Sequence, residues 1–347
     1  MMLGRGLVGS MLLLATGALA GACRSGESQE QDGGAVVSST DVWDPAPHRS
    51  EYVRVNGVRL NYLDYGGKGP TLLMVHGFGD NPHVFDDLAP RLTDAFHVIA
   101  YARRGHGDSD APPAGPYDVE TLIEDLRQLM DSLHVQKAHL LGWSMGGDEI
   151  TSFAGRFPDR TGRLVYLEAG YDYADTTFLM GLDAMLSSNT PDSSALASFD
   201  EYQRWFRTYW LGDVSLTSGV EAYLRNGLRV NADGSVERRM ADSVHDALWT
   251  TLGAWPREYT SVRAPVLALY ASTFFPAVPE NQAHTDQMRY FEEHVIVPFR
   301  DANINRLRTE LPDARVQWLD GTTQMSIGIR HPATVAGIIK QFLLETT

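Results

Sequence analysis

Hydrophobic and polar positions follow two periods along this chain, and the two periods alternate. The continuous apolar run Thr71–Val75 has the length and composition of a strand that is buried on both faces of a sheet. The segment that follows, up to Phe96, predicts a helix, Val98–Tyr101 predicts another strand, and residues 117–133 carry leucines at helical spacing. Strands and helices that alternate in this order predict an α/β fold with a mostly parallel central sheet and helices on both faces.

A hairpin is predicted ahead of this pattern. Two extended runs, residues 52–55 and 58–63, flank Asn56-Gly57, and this dipeptide favours the tight two-residue turn of a β-hairpin. The folded part of the chain is therefore expected to begin near Glu51.

Residues 138–150 predict a strand that turns abruptly into a helix. Apolar residues precede the turn, and Ile150, Phe153 and Phe157 recur at helical spacing after it. Between them, Ser144 stands in a Gly-x-Ser-x-Gly pattern, and glycines suit a strained strand-to-helix turn because side chains at those positions would crowd it. The alternative is a glycine-rich turn whose serine only caps the helix.

Composition and charge narrow the class of protein. With 347 residues, 43% of them apolar, and seven tryptophans, the chain can bury a large core, which fits one α/β domain with an inserted subdomain. The net charge of -15 argues against nucleic acid or an anionic membrane face as the main partner, because both require a basic surface. The sequence has no cluster of histidines and carboxylates with metal-ligand spacing, so we expect neither a metal nor another cofactor.

The N-terminal segment has the features of a processed signal. Arg5 supplies a positive charge, an apolar run follows, and small residues precede Cys23, the only cysteine in the sequence. The segment resembles a bacterial lipoprotein signal, in which this cysteine becomes the lipidated first residue. We therefore expect removal of residues 1–22, a lipid on Cys23 that holds the protein in the cell envelope outside the cytoplasm, and a disordered tether over residues 23–48. An uncleaved membrane anchor and an ordinary secreted protein are the alternatives.

Three motifs occur in an order that points to one family. They are His76-Gly77-Phe78-Gly79 after the third predicted strand, Arg104-Gly105-His106-Gly107-Asp108-Ser109 after the fourth, and Gly142-Trp143-Ser144-Met145-Gly146-Gly147 at the turn. On these motifs the chain resembles the α/β-hydrolase superfamily. The resemblance implies a hydrolase core at residues 49–170 and 261–347, with a helical cap inserted at residues 171–260.

The resemblance also implies roles for single residues. Ser144 would be the nucleophile of an acyl transfer, and the main-chain amides of Phe78 and Met145 would form the oxyanion hole. His76 and His106 belong to loop motifs that are structural in the family, so neither is expected to act as the base.

The acid of the expected triad is absent from its usual position. Most of the family carries an Asp after the strand that follows the cap, but here Pro265–Ala271 runs into residues 272–276 without a carboxylate. Glu168, at the end of the preceding strand, matches the Asp of a bacterial subgroup with the pattern Leu-Asp-Ala-Gly-Tyr. We predict Glu168 as the orienting acid, and the alternative is an acid that pairs locally or caps the first turn of the cap domain.

The general-base histidine is also missing from its usual place, between the last strand and the proline that opens the final helix. Counting forward from Gly321 puts Gln324 at the histidine position. Counting back from Pro332 puts Met325 there. Neither side chain accepts a proton near neutral pH. His331 is the nearest histidine in sequence, but beside Pro332 it should start the last helix, away from the elbow. His245, His284 and His294 belong to the cap or the following insertion and could approach only through an unusual fold. The residue that replaces the base, if any, stays open.

Two functions fit these observations. The first is a hydrolase, lipid-anchored in the envelope, that cleaves an ester or related acyl bond of a small apolar substrate. The second is a hydrolase-fold protein that has lost turnover and binds a ligand or partner under the cap. An imidazole nitrogen within about 3 Å of the Ser144 hydroxyl would favour the first. The sequence specifies neither the substrate nor the oligomeric state.

Overall fold

A computed structural model describes residues 46–345. The predicted signal peptide, Cys23 and almost all of the predicted tether lie outside these residues. Within residues 46–345, no helix combines the length and apolar character needed to span a bilayer.

Ten strands form two sheets in the described part of the chain. They are β1 (Arg49–Val55), β2 (Val58–Gly66), β3 (Thr71–Val75), β4 (His97–Tyr101), β5 (Ala138–Trp143), β6 (Thr161–Leu167), β7 (Leu228–Val230), β8 (Val236–Arg238), β9 (Val266–Thr273) and β10 (Arg315–Thr323). Eight of them form the large sheet, in the order β1-β2-β4-β3-β5-β6-β9-β10, whereas β7 pairs with β8. β2 runs antiparallel to β1 and β4, and the other pairings of the large sheet are parallel. The predicted mostly parallel sheet is therefore confirmed.

Nine α-helices accompany these strands in the described residues. They are α1 (Val119–Ser132), α2 (Gly146–Arg156), α3 (Thr176–Ser188), α4 (Phe199–Phe206), α5 (Ser218–Gly227), α6 (Asp242–Gly253), α7 (Gln282–Phe291), α8 (Val297–Glu310) and α9 (Pro332–Leu343). They cover both faces of the sheet. Leu73 of β3 belongs to one apolar cluster with residues of α1 and α2, and its neighbour Leu72 belongs to a second cluster with residues of α9. Because successive side chains of a strand point to opposite faces, the central strands are apolar throughout.

The predicted hairpin is confirmed at the start of the sheet. Val55 pairs with Val58, and the two residues between them, Asn56 and Gly57, have φ angles of 44° and 80°. Positive φ at both central positions is the geometry that an Asn-Gly turn adopts most readily.

The helix predicted between β3 and Phe96 is wrong. Two short 3₁₀ helices, Pro82–Phe85 and Ala89–Leu92, occupy this segment instead. Pro90 lacks the amide that a continuous α-helix would need at this position, and its ring would clash with the preceding turn. Pro82 and Pro90 each stand in the first turn of their own short helix, where the missing amide and the proline ring disturb no helical hydrogen bond.

Two insertions build a roof of helices, α3 to α8. The helices α3 to α6 lie between β6 and β9, within the predicted cap, and α7 and α8 lie between β9 and β10. Phe178 of α3 stacks on Phe299 of α8 with ring centroids 3.6 Å apart. The second insertion therefore packs directly on the first.

The turn from β5 into α2, residues 142–146, is the elbow that the sequence predicts. Ser144 has a φ of 51°, which an L-residue rarely adopts. A Cβ on Gly142 would lie 2.5 Å from the carbonyl carbon of Gly146, and a Cβ on Gly146 would lie 2.2 Å from the carbonyl oxygen of Val75. Both glycines are required because backbone atoms occupy the space that a methyl group would need.

Gly146→Ala is expected to destabilise the fold by about 3 kcal/mol, because the rigid backbone of β3 cannot move away from the new methyl group. Gly337→Ala is the matched control. Gly337 lies on an exposed face of α9 and a Cβ there would meet no atom within 4 Å, so this change should stabilise the protein by about 0.5–1 kcal/mol. Urea unfolding of both variants measures the difference, and equal stabilities would contradict the steric explanation.

Candidate active site

Ser144 stands at the tip of the elbow, directly before α2. Its amide donates to the Leu167 carbonyl at 3.2 Å, which ties the tip to β6. Its side chain is half-buried, and its Oγ lies 3.4 Å from the hydroxyl of Tyr173. The serine is thus accessible, and it precedes a helix N-terminus, where the backbone favours negative charge.

The two amides predicted for an oxyanion hole have no hydrogen-bond acceptor in the described residues. The amides of Phe78 and Met145 donate to no protein acceptor among residues 46–345. They belong to loops that are in close contact, since a Cβ on Gly77 would lie 3.2 Å from the Cβ of Ser144. Two unengaged amides near a nucleophile are what an oxyanion requires. Their role stays a prediction.

The loop at residues 76–80, the oxyanion loop, is braced by buried polar groups. His76 accepts a hydrogen bond from the amide of Arg103 through Nε2 at 3.1 Å, and the Arg103 guanidinium donates to the carbonyls of His76 and Gly77 at 2.9 Å and 3.3 Å. Burial and the nearby Arg103 lower the pKa of His76 well below its usual range. Burial likewise lowers the pKa of His106 to about 3. Both imidazoles are therefore neutral parts of the loop framework, as the resemblance implies.

The expected position of the histidine lies beside the elbow but holds no base. The indole Nε1–H of Trp143 donates to the carbonyl of Gln324 at 3.2 Å. Gln324 and Met325 both line the same cavity as Trp143 and Phe78. The two residues that sequence counting placed there thus lie beside the elbow.

None of the eleven histidines, all of which lie within residues 46–345, is hydrogen-bonded to Ser144. The histidines outside the loop motifs make other contacts or are exposed. Among them, His245 lies against Phe78 and Asp246, His284 against Tyr209 and Asn189, and His294 against Tyr290, while His331 before α9 is exposed. The imidazole that would favour a standard triad is absent from the described contacts of the serine.

Glu168, predicted as the orienting acid, makes three hydrogen bonds in the described residues. Its carboxylate accepts from the Tyr171 hydroxyl and from the Ala271 amide, both at 2.6 Å, and from the Arg300 guanidinium at 3.1 Å. The side chain is almost fully buried, and its backbone has a φ of 45°. No histidine contacts it in this part of the chain, so the geometry matches the alternative of local pairing, and the catalytic role stays a prediction. Arg300 was not found from sequence, because it lies on α8, far along the chain.

Glu168→Gln is expected to lower the free energy of unfolding by about 3 kcal/mol, because the buried Arg300 then keeps only Glu292, at 3.4 Å, as a charge partner. Glu120→Gln is the control, since Glu120 pairs with Arg156 at an exposed site, where the cost should stay below about 1 kcal/mol. Thermal or urea unfolding separates the two. Similar losses in both variants would show that the buried pair contributes no more than a surface pair.

A cavity of about 220 Å³ lies between the elbow and the roof. Most of its lining is aromatic, and Asp80 is the one charged side chain among the described residues that line it. The lining comprises Phe78, Asp80, Trp143, Leu182, Leu186, Tyr202, Trp205, Phe206, Trp210, Tyr223, Trp249, Leu252, Phe274, Gln324 and Met325. Two larger clefts of about 520 and 870 Å³ border the roof, and their described linings include no residue of the elbow or of the oxyanion loop.

Comparison with known proteins now identifies the family. The model of the alpha/beta hydrolase fold matches residues 70–235. A dihydrolipoyllysine-residue acetyltransferase component of the acetoin cleaving system of Pseudomonas putida is 32% identical over 255 residues, 68% of either chain. The chain belongs to the α/β-hydrolase superfamily. The 2-(acetamidomethylene)succinate hydrolase of Mesorhizobium japonicum is 26% identical over 264 residues, which are 76% of this chain and 91% of that enzyme.

Similarity to solved structures agrees with the superfamily fold. The crystal structure of an E-2-(acetamidomethylene)succinate hydrolase superposes with a TM-score of 0.67 at 20% identity, over 85% of this chain and 99% of that one. The match to uncharacterised mycobacterial proteins, 33% identical over 144 residues, spans only 42% of their length. The hydrolase fold is therefore shared, and the activity of this member is a separate question.

Proposed function

We propose that the protein is a serine hydrolase of the bacterial envelope that cleaves an ester or related acyl bond of a small apolar substrate. The observation that carries the proposal is the half-buried Ser144 on a strained elbow, beside two amides that have no other acceptor in the described residues. A positioned nucleophile and preorganised donors are the parts of acyl transfer that the fold must supply. The Mesorhizobium japonicum relative is itself named a hydrolase.

The envelope location rests on the N-terminal sequence. The signal-like segment ends at Cys23, the only cysteine, and a lipid on this residue would anchor the domain through residues 23–48. Replacement of Cys23 by Ser should release the protein from the membrane fraction, because the acceptor of the lipid is lost.

A fluorophosphonate probe is expected to label the protein and to lose at least about 90% of that labelling in Ser144→Ala, because the probe reacts with an activated serine. Ser326→Ala is the matched control, since Ser326 is buried and hydrogen-bonded to Thr323. In-gel fluorescence gives the readout. Equal labelling of Ser144→Ala and the parent protein would contradict the assignment of the nucleophile.

The second candidate is a ligand-binding protein that has lost turnover. It is favoured by one observation, the absence of any histidine from the described hydrogen bonds of Ser144. Loss of a triad member in serine hydrolases typically costs about 10⁴–10⁶ in rate. Ester hydrolysis that disappears in Ser144→Ala would exclude this candidate.

The cavity volume predicts the size of the substrate. A volume of about 220 Å³ is below the roughly 300–1,000 Å³ of most ligand pockets. We expect kcat/KM for butyryl esters to exceed that for dodecanoyl esters at least about tenfold, because the longer acyl chain does not fit this volume. A loss of about 1.4 kcal/mol of binding energy corresponds to a factor of ten.

Trp205→Ala provides the control for this preference. Trp205 of α4 lines the cavity, so its removal should enlarge the space and reduce the difference between the two esters. A parent protein that hydrolyses the dodecanoyl ester as fast as the butyryl ester would contradict a small substrate site.

A further inference from the structure

We propose that Asp80 is the general base that accepts the proton of Ser144, in place of the missing histidine. This inference rests on the proposed hydrolase function. Asp80 is the last residue of the oxyanion loop, and its side chain lines the aromatic cavity beside the elbow.

The two side chains meet around Gly77. A Cβ built on Gly77 would lie 2.5 Å from Oδ2 of Asp80 and 3.2 Å from the Cβ of Ser144. The distance from Oδ2 of Asp80 to the Cβ of Ser144 therefore cannot exceed the sum of these two distances. Rotation of the serine side chain turns Oγ toward Oδ2, and one intervening water can carry the proton across the remaining gap. A larger residue at position 77 would block this approach, which gives a physical reason for the glycine.

The other carboxylate oxygen is held from the roof. The hydroxyl of Tyr223, on α5, donates to Oδ1 of Asp80 at 2.5 Å. Oδ1 is therefore occupied, and Oδ2 is the oxygen that lies against Gly77, next to the elbow. The tyrosine thereby orients the carboxylate, a role that a third group fills for the base in many hydrolases.

The surroundings give Asp80 the proton affinity of a useful base. Burial raises the pKa of Asp80 to about 7, while the hydrogen bond from Tyr223 and the charge of Arg103 oppose the rise. Tyr202 of α4 also faces the group, and Asp80 contributes to raising the pKa of that phenol above its usual value, after burial. A base is most effective when its pKa lies near the working pH. An ordinary exposed Asp would hold its proton too weakly.

The proton steps balance without another reactant. As Oγ of Ser144 bonds to the acyl carbon, its proton moves to Asp80, and the amides of Phe78 and Met145 bind the resulting oxyanion. Asp80 then returns the proton to the leaving alkoxide as the ester C–O bond breaks. In the second half, water adds to the acyl carbon and gives a proton to Asp80. That proton finally returns to Oγ as the acyl–serine bond breaks and the carboxylic acid departs.

Butyryl-ester hydrolysis across acidic and alkaline pH tests the inference on the full chain. We expect kcat/KM of the parent to fall as pH drops through about 7, because protonated Asp80 cannot accept a proton. Asp80→Asn should lose about 10²–10⁴-fold in kcat, and its residual rate should lack that acidic fall.

Two further variants separate catalysis from folding. Tyr223→Phe removes a hydrogen bond that lowers the pKa of Asp80, so the acidic fall should move to higher pH. A merely structural Asp80 would not produce such a shift. Asp87→Asn is the matched control. Burial raises the pKa of Asp87 as well, and its carboxylate accepts a hydrogen bond from the hydroxyl of Thr217 in the roof. Asp87 is not among the residues that line the cavity. It should keep the parent rate and pH profile.

The possible failures are distinguishable. Ser144-dependent hydrolysis with an unchanged pH profile in Asp80→Asn and Tyr223→Phe would overturn the role of Asp80 and leave the hydrolase function standing. If the parent shows neither Ser144-dependent hydrolysis nor probe labelling, the proposed function fails, and the role of Asp80 fails with it.

Discussion

The candidate site depends on one close approach of backbone to backbone, between the start of α2 and the end of β3. The carbonyl of Val75 fills the space beside Gly146, and the backbone of Gly146 fills the space beside Gly142. This contact leaves no room for side chains and holds the strand-to-helix turn tight. Ser144 consequently takes a positive φ at the tip, where its hydroxyl is accessible. The same approach brings the oxyanion loop against the serine.

Buried ion pairs keep these backbone segments in place. Arg103 links the carbonyls of the oxyanion loop to Glu149 on α2, and Arg300 links the roof to Glu168 at the end of β6. A buried charge is costly without a partner, so these pairs fix the relative positions of the elements that carry them. They also engage the carboxylates in structural contacts. Asp80 differs, because its described hydrogen bond engages one oxygen and leaves the other beside Gly77, next to the elbow.

The roof determines the chemistry beneath it as much as the sheet does. Its aromatic residues make the cavity apolar, and burial there raises the pKa of Asp80. The hydroxyl of Tyr223 comes from the same roof and orients the carboxylate. Under the proposed mechanism, a superfamily core with the usual serine is combined with a different proton acceptor, for which the insertion supplies the environment. Gln324 and Met325 at the usual histidine position then become part of the cavity wall.

Local sequence patterns determined the hairpin, the central strands, the elbow and the residues on it, because turns and strand periodicity depend on short-range sterics and on which side chains are apolar. The pattern failed for the segment before Phe96, where prolines break a helix into two 3₁₀ turns. The sequence also showed that the histidine is absent from its usual position, but it did not indicate the contacts of Glu168 with Arg300 or of Asp80 with Tyr223. Those partners are 132 and 143 residues apart in the chain. Only tertiary packing brings them together. Burial sets the proton affinity of a carboxylate, so only the folded structure decides which carboxylate binds a proton tightly enough to serve as a base.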